Sequence, residues 1–396
     1  MRDVTFVAWR DVAWGEGAHL GTAVVDGALT LVTATGTRAY TDPPVGSTST
    51  YDTATWTSPT IGPGFAIAEL VASWNATTPT GTWLEVRVRT LTRDSSGSWF
   101  VMGRWASDDP ADGGAIHRCS VPDQATSWAT VRTDTLVTRG GPGLVSWQLE
   151  LTLLRRTGTT VTPAVTLLGA MVSGPSATGP ARPSALGPAS ARGIELDVPT
   201  LSQEVHRGHY PRWDAGGEAW CSPTSVAMVL AFWGTGPTPA ETAWVHPAVD
   251  AVVDHAARQV FDYAYDAAGN WPFNTAYAAR YGLEAFVTRL RSLTEAETFV
   301  AAGIPLVASV SFDESELTGA GYSTGGHLIV IRGFTPAGDV VVNDPASHLV
   351  ADNGQVRAVY DRAELEAAWL RGSGGIVYVI HPRAVPLPDP PAQAGW

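Results

Sequence analysis

The sequence predicts two domains of different fold class, an all-β sandwich of jelly-roll type followed by an α+β domain. Apolar and polar residues alternate with a period of two in the first part of the chain, whereas helical patterns followed by apolar strands occupy the second. A stretch rich in Gly, Pro, Ala and Ser separates the two parts. A chain of 396 residues is also longer than one ordinary core supports.

The predicted boundaries follow these changes in composition. We expect the β-sandwich over residues 1–172, a linker over 173–193, the α+β domain over 194–385 and a Pro-rich tail over 386–396. The linker has little apolar surface to bury, and its prolines favour an extended chain.

The sandwich is predicted from segments such as "TWLEVRVRTLT", "SWFVMGRWA" and "VSWQLELTLLRR", which are separated by turns rich in Gly, Pro, Asp and Ser. This part of the chain is also rich in tryptophan. Aromatic residues of β-sandwiches usually pack in the core or at the rim, and a sugar-stacking platform is the alternative. The tryptophans concerned are Trp9, Trp14, Trp56, Trp74, Trp83, Trp99, Trp105, Trp128 and Trp147.

After the linker, helices are predicted from "PTSVAMVLAFWG", "PFNTAYAARYG" and "SLTEAETFVAAG", each of which ends at a Gly suited to the position after a helix. Ser292 and Glu295 have the spacing of a capping box for the third helix. Strands are predicted from "IPLVASVSF", "HLIVIRGF", "DVVVND" and "GIVYVIHP". Helices first and strands after indicate an α+β domain with a mainly antiparallel sheet.

Composition excludes several kinds of chemistry. The net charge of −13 argues against nucleic acid as a partner. The chain contains no Lys, which rules out Schiff-base chemistry and a phosphate-loop lysine. Cys119 and Cys221 are the two cysteines, too few for a zinc knuckle. We expect neither a metal nor an organic cofactor, and chemistry based on Cys, His, Ser or carboxylates.

No apolar stretch has transmembrane length, and the first residues lack the uninterrupted apolar core of a signal peptide. We expect a soluble protein without a membrane span. A start site assigned too late would give the same appearance, so secreted or cell-envelope placement stays open.

Cys221 occupies a position suited to a nucleophile. Pro223 fits the first turn of a helix, which places Cys221 at the helix start. There the helix dipole and the unpaired first-turn N–H groups stabilise a thiolate. The alternative is a small buried residue that only packs.

His327 and Asp344 are the candidates for base and orienting residue. His327 begins an apolar strand after two glycines, and Asn343 and Asp344 end the next strand. Because a short turn joins these strands, the start of one lies near the end of the other. The chain order Cys, His, then Asn or Asp is that of thiol acyl transfer. Upstream, Gln203 carries an amide that could join the Cys221 N–H in binding an oxyanion.

At these residues the sequence resembles the papain-like peptidases related to the bacteriocin-processing, double-glycine leader peptidases. The similarity covers about residues 195–382 and includes "VPTLSQ", "WCSPTSVAMVL", "GGHLIVIRGF" and "VVNDP". In that family the Gln shapes the oxyanion hole and Cys, His and Asp form the triad. The resemblance therefore implies a stand-alone cysteine peptidase whose site residues are Gln203, Cys221, His327 and Asp344.

This chain departs from the family at Ser222, where the family usually has Gly. "GNWPFNTAYAARYG" also resembles a segment of stand-alone members, which implies a place for Trp271 in the substrate cleft, with packing as the alternative. The transporter-fused members cleave after paired glycines, but this chain shows no membrane segment. Their substrate is therefore not carried over.

Two further signals are set aside. Ser323 in "GYSTG" has the spacing of a nucleophile elbow, but a loop precedes it and a strand follows, which is the wrong context. His206 and His209 suggest a metal pair or a competing base. They lie in a predicted loop, and no acidic third ligand has recognisable spacing.

The leading hypothesis is a cysteine peptidase that acts on a peptide or protein substrate. The alternative is a non-catalytic binding protein whose sandwich and peptidase-like domain recognise a carbohydrate or a cell-envelope component. The intact Cys, His and Asp set favours the enzyme.

Overall fold

The chain forms two compact units. The computed structural model describes residues 2–92, 96–139, 143–175 and 183–396. One unit contains the described residues of Asp3–Pro175 together with Asp262–Asp266, and the other contains those of Ser176–Phe261 and Ala267–Trp396. The segment Asp262–Asp266 falls inside the range predicted for the C-terminal domain.

The unit that contains Asp3–Pro175 is built from two antiparallel sheets. Its strands among the described residues are β1 (Val4–Trp9), β2 (Ala18–Leu20), β3 (Thr22–Val25), β4 (Ala28–Leu31), β5 (Gly36–Thr41), β6 (Thr48–Thr57), β7 (Glu69–Thr77), β8 (Thr82–Leu91), β9 (Ser96–Trp105), β10 (Ala129–Arg132), β11 (Thr135–Thr138), β12 (Ser146–Arg156) and β13 (Ala164–Ser173). One sheet has the order β10-β11-β7-β13-β4-β3 with β1 on β13, and the other has the order β2-β6-β12-β8-β9 with β5 on β6. The three segments whose alternation predicts strands are β8, β9 and β12.

Tryptophan pairs join the two sheets. The rings of Trp9 on β1 and Trp147 on β12 lie 5.9 Å apart, and those of Trp74 on β7 and Trp105 on β9 lie 6.5 Å apart. Each pair combines a residue from one sheet with a residue from the other. The core therefore lies between the sheets, which confirms the predicted sandwich. Its jelly-roll-like connectivity stays a prediction.

Most of the nine tryptophans of this unit serve the core. Trp99 is half-buried beneath the guanidinium groups of Arg87 and Arg89, and Trp128 is 43% exposed. The others are buried, so they cannot stack on a sugar. These buried side chains are Trp9, Trp14, Trp56, Trp74, Trp83, Trp105 and Trp147.

The other unit combines helices with one antiparallel sheet, and the papain-like form of the predicted α+β domain stays a prediction. Its helices among the described residues are α1 (Cys221–Phe232), α2 (Pro239–Thr242), α3 (Ala251–Val260), α4 (Trp271–Ala279), α5 (Leu293–Ala301) and α6 (Arg362–Gly372). Its strands are β14 (Glu284–Arg289), β15 (Leu306–Phe312), β16 (Thr324–Phe334), β17 (Val340–Asn343), β18 (Arg357–Tyr360) and β19 (Ile376–His381), in the order β14-β19-β15-β16-β17-β18.

The predicted helices are α1, α4 and α5, and the predicted strands are β15, β16, β17 and β19. Helix α1 is buried on nearly all sides, as expected of a helix whose residues are apolar or small around its circumference. It packs against β16 and α4. Among the described residues, no helix is long and apolar enough to cross a lipid bilayer.

The start of α5 differs in one detail from the prediction. Ser292 is the N-cap and accepts a hydrogen bond from the Glu295 N–H, as expected. The Glu295 carboxylate, however, accepts from the Arg291 N–H and pairs with the Arg291 guanidinium. A reciprocal capping box forms instead at α2, between Thr238 and Glu241.

The linker predicted over 173–193 lies partly outside the described residues, at 176–182. Its C-terminal part is bound to the α+β unit. The Ser184 N–H donates to Glu366 on α6, and the Gly187 N–H donates to Glu297 on α5. Residues 184–187 therefore belong to that unit, and the role of the remainder as a linker stays a prediction.

Candidate active site

Cys221 is the first residue of α1, and its side chain is half-buried. The first helical hydrogen bond runs from the Thr224 N–H to the Trp220 carbonyl, at 3.0 Å. Trp220 provides no side-chain cap, so the cysteine lies where backbone N–H groups point out of the helix end. Such a position stabilises negative charge on sulfur.

Strand β16 brings His327 to this helix end. The Ser225 hydroxyl on α1 donates to the carbonyl oxygen of Leu328, the residue after His327, at 3.1 Å. This bond fixes the first turn of α1 against the start of β16. His327 is buried and lies close enough to Cys221 for the charge of the sulfur to act on its pKa.

Asp344 follows β17 and lies on the other side of the imidazole. His327 Nε2 is 2.8 Å from Asp344 Oδ1, and the carboxylate is fully buried. Because Nε2 faces Asp344, Nδ1 is the nitrogen left for Cys221. The structure thus brings Cys221, His327 and Asp344 together in one row.

The charges in this row determine its protonation. Burial alone would lower the pKa of His327, but the negative charges of Asp344 and Cys221 and the hydrogen bond to Asp344 raise it to about 10. Burial would raise the pKa of Asp344, yet the charge of His327 and hydrogen bonds from His327, Tyr360 and Tyr322 hold it below its ordinary value. An imidazolium next to a carboxylate is the stable state near neutral pH.

Two tyrosines that the sequence patterns did not indicate surround Asp344. The Tyr322 hydroxyl donates to both carboxylate oxygens, at 3.0 and 2.9 Å, and the Tyr360 hydroxyl donates to Oδ2 at 2.7 Å. The Ala346 N–H adds a bond of 3.0 Å to Oδ1. These donors compensate for the burial of the charge and fix the carboxylate plane that the imidazole meets.

Asn343 does not contact His327 through any of its observed bonds. Its side-chain oxygen, Oδ1, accepts from Arg332 at 3.0 Å. Its side-chain nitrogen, Nδ2, donates to the backbone carbonyls of Val198 and Pro199 at 3.2 and 3.0 Å. Asn343 therefore holds the segment that contains Val198 and Pro199, which precedes Gln203 and α1, against the end of β17. Of the two orienting residues that the sequence left open, the one beside the imidazole is Asp344.

Gln203 begins a 3₁₀ turn, Gln203–His206, and is buried. Its Nε2 donates to the carbonyl oxygen of Glu218 at 2.7 Å, in the segment that leads into α1, and its Oε1 has no hydrogen-bond partner. Nε2 also donates to Glu204 Oε1, over a longer distance of 3.5 Å.

Ser222, at the position where the family usually has Gly, is fully buried, and its hydroxyl lies 2.9 Å from the Tyr378 hydroxyl on β19. Its side chain points into the sheet and so is compatible with the helix start. Trp271 is the first residue of α4, a helix that packs on α1, and it is half-buried. A place for Trp271 in a substrate cleft stays a prediction. Ser323 is a loop residue that accepts from the Glu314 N–H, not a nucleophile elbow.

His206 and His209 are not isolated loop histidines. Asp254 on α3 lies 2.8 Å from His206 Nδ1 and 3.0 Å from His209 Nδ1. An acidic third residue therefore accompanies them, although none has a recognisable spacing in the sequence. The missing residue comes from a helix 45 positions beyond His209, and chain spacing could not indicate it.

An α+β domain with a cysteine at a helix start beside a buried His–Asp pair, preceded by a β-sandwich, defines the class of peptidase-like two-domain proteins. Residues 195–376 match the Peptidase_C39 like family, and residues 5–173 match the Peptidase C39 N-terminal domain. The chain thus carries a Peptidase_C39-like domain and a Peptidase C39 N-terminal domain. This result confirms the family indicated by the sequence motifs. No curated protein matches the chain.

Several solved β-rich proteins show weak similarity. A xylan-binding module, CBM86, from Roseburia intestinalis is 8% identical with a TM-score of 0.20, covering 42% of this chain and 94% of its own. A carbohydrate-binding module of the β-sandwich superfamily is 12% identical with a TM-score of 0.19, covering 42% of this chain and 56% of its own. A family two carbohydrate esterase from Cellvibrio japonicus is 11% identical with a TM-score of 0.18, covering 49% of this chain and 42% of its own. TM-scores this low define neither fold nor ligand.

Proposed function

We propose that the α+β unit is a papain-like cysteine peptidase that cleaves a peptide bond through a thioester. The observation that carries this proposal is the position of His327, whose Nε2 lies 2.8 Å from the buried carboxylate of Asp344 and whose pKa is raised by the charges of Asp344 and Cys221. A nucleophile, a base and an orienting group in one row are the parts that thiol acyl transfer needs.

The resting pair is a thiolate and an imidazolium. The raised pKa of His327, about 10, keeps the ring protonated at neutral pH, and the helix start stabilises the sulfur anion. The Cys221 thiolate then attacks the carbonyl carbon of the scissile bond. The electron pair of the carbonyl moves to its oxygen.

Collapse of the tetrahedral intermediate needs one proton. His327 Nδ1 donates its proton to the leaving nitrogen as the C–N bond breaks, which releases an amine and leaves a thioester on Cys221. Water then attacks the thioester while His327 takes up its proton. Release of the carboxylic acid restores the thiolate and imidazolium. Asp344 stays ionised and holds the ring.

The oxyanion is assigned to two donors, the Cys221 N–H and the Gln203 side chain. Gln203 Nε2 is already oriented by its bond to the Glu218 carbonyl, and its second hydrogen would leave the long 3.5 Å contact with Glu204 for the substrate. The Glu218 carbonyl fixes this orientation, because a flipped amide would place two carbonyl oxygens against each other.

The substrate class is a peptide or protein, as the peptidase family suggests. Trp271 is proposed to line the cleft. A carbohydrate or cell-envelope ligand of the sandwich stays a prediction, and only Trp99 and Trp128 of its tryptophans are not buried.

The test is hydrolysis of a mixed peptide library by the full chain, with Cys221→Ala as the blank and Cys119→Ala as the matched control. We expect cleavage products from the wild type and from Cys119→Ala, and a loss of at least about 10⁴-fold in Cys221→Ala. A peptide aldehyde should add covalently to Cys221 alone, as read by peptide mass spectrometry. Absence of both cleavage and adduct in the wild type would favour the binding protein.

A further inference from the structure

His206, His209 and Asp254 form a cluster outside the Cys221 row. The two histidines come from the end of the Gln203–His206 turn and the loop after it, and Asp254 comes from α3. The His209 N–H donates to the His206 carbonyl at 2.9 Å, and Gly208 has a φ of +73°. This turn brings the two rings to 5.3 Å, at right angles, on the side that faces Asp254.

Both carboxylate oxygens of Asp254 face an imidazole nitrogen. Oδ2 lies 2.8 Å from His206 Nδ1, and Oδ1 lies 3.0 Å from His209 Nδ1. The first contact is close but not aligned as a hydrogen bond. His206 Nδ1, His206 Nε2 and Asp254 Oδ2 consequently have no hydrogen-bond partner.

Burial makes this lack of partners significant. The side chains of His206 and Asp254 are completely buried, whereas His209 is 15% exposed. An unpaired imidazole and an unpaired carboxylate oxygen both lose hydration in such a place without compensation. The guanidinium of Arg207, in the same loop, is paired with Glu204. A bound cation would compensate Asp254 and use the imidazole lone pairs.

We propose that these three side chains bind a divalent transition-metal ion of the zinc class. Two imidazole nitrogens and one carboxylate oxygen are zinc donors, whereas calcium and magnesium prefer oxygen alone. Three ligand atoms of the cluster lie within 4.8 Å of one another. Bonds of about 2.0–2.1 Å in a tetrahedron separate ligand atoms by roughly 3.3 Å, which lies between the shortest separation here, 2.8 Å, and the upper limit of 4.8 Å. His209 provides access from solvent.

The ion would have a structural role. It would join the turn that begins at Gln203 to α3, and so fix the position of the proposed oxyanion donor. This consequence rests on the proposed function, whereas metal binding itself does not. No step of peptide cleavage passes through the ion.

The test is calorimetric titration of the full chain with ZnCl₂ after dialysis against a chelator. The Cys221→Ala background is used, because a thiolate beside His327 also binds zinc. We expect one site per chain. Adding His209→Gln or Asp254→Asn should weaken binding at least about tenfold. His117→Gln, which removes a histidine paired with the single carboxylate of Asp42, is the matched control and should change nothing.

Three readouts separate the outcomes. Zinc should raise the melting temperature of the Cys221→Ala chain, CaCl₂ should not, and Co²⁺ should give d–d absorption without a thiolate charge-transfer band. If Asp254→Asn fails to fold, the partly exposed His209→Gln carries the test, with circular dichroism as the check. No saturable zinc binding in the Cys221→Ala chain, or binding unchanged by His209→Gln, would overturn the proposal. Neither result depends on peptidase activity.

Discussion

The two cysteines occupy opposite environments. Cys119, in the sandwich unit, is 2% exposed, and its sulfur lies 3.7 Å from the Tyr40 hydroxyl. Burial raises the pKa of this thiol, and the Tyr40 hydrogen bond and the charge of Arg104 only partly offset the effect. Cys221 is half-buried at a helix start, beside a protonated His327. A cation lies near both thiols, so the two environments differ in exposure and in the neighbouring histidine, the features that we expect to control reactivity.

This comparison is tested most strongly by alkylation. At pH about 5.5 we expect iodoacetamide to label Cys221 at least about 10³-fold faster than Cys119, since even an ordinary thiol is only about 0.1% thiolate at that pH. Peptide mass spectrometry on one sample gives both rates, and Cys119 is the internal control. Equal, slow labelling of the two thiols would contradict the enzyme hypothesis.

The second test removes the cation beside Cys221. His327→Ala should lower labelling of Cys221 at pH about 5.5 by roughly 10²-fold, because the thiolate loses its imidazolium partner. Labelling of Cys119 in the other unit should not change. If Cys221 and Cys119 become labelled at the same rate and the helical circular dichroism signal is also lost, the variant has unfolded instead. Unchanged labelling of Cys221 would show that the helix start alone stabilises the thiolate.

The third prediction concerns pH and stability. Because the pKa of His327 is raised from 6.5 to about 10, its contribution to stability is fully present below pH 6.5 and is lost as pH rises toward 10. Because the pKa of Asp344 is lowered from 3.8, its contribution is present above pH 3.8 and is lost as pH falls through the lower, folded value. We expect Asp344→Asn to remove most of the stability difference between pH 7 and pH 10, measured by urea unfolding.

Asp344→Asn should also lower turnover by about tenfold to a hundredfold, since an amide holds the imidazole less firmly and does not stabilise its charge. The control is Asp42→Asn, which alters a His–Asp pair in the sandwich unit and should leave turnover unchanged. A stability profile that remains identical in Asp344→Asn would contradict the assignment of the coupled pair.

Local patterns located the parts of the site but not what surrounds them. Pro223 after Cys221 indicates a helix start, and the turn between β16 and β17 brings His327 toward Asp344, so these relations follow from short-range geometry. Tyr322 and Tyr360 come from separate loops and strands and meet only at the buried carboxylate. Nothing in the spacing of either residue reveals such a convergence.

The cluster of His206, His209 and Asp254 shows a second limit of prediction from sequence patterns. The helix that carries Asp254 has apolar residues with helical spacing at Val253, Ala256, Ala257 and Val260, so its existence was predictable. The contact with His206 was not, because it depends on how α3 packs against a loop whose course is set by Gly208. Tertiary packing, rather than propensity, produces the cluster.

The smallest predicted effect concerns the two tyrosines. Tyr360→Phe removes one hydrogen bond to Asp344 Oδ2, and Tyr322→Phe removes the hydroxyl that contacts both oxygens. Each should lower turnover by roughly threefold to tenfold, because the carboxylate keeps its remaining donors and its charge.

A positioning role predicts more than a small loss of rate. With fewer donors the carboxylate is less well stabilised, so the pKa of Asp344 should rise in both variants. The acid limb of Cys221 labelling, that is, the pH range in which the labelling rate falls on acidification, should therefore move to higher pH. The double variant should lose more than the product of the single losses, because each hydroxyl can partly replace the other on a shared carboxylate. Tyr51→Phe, which removes a buried hydroxyl of the sandwich unit bound to the Ala115 carbonyl, is the matched control and should alter neither quantity. If the acid limb stays in place while turnover falls, the tyrosines only support packing around the site.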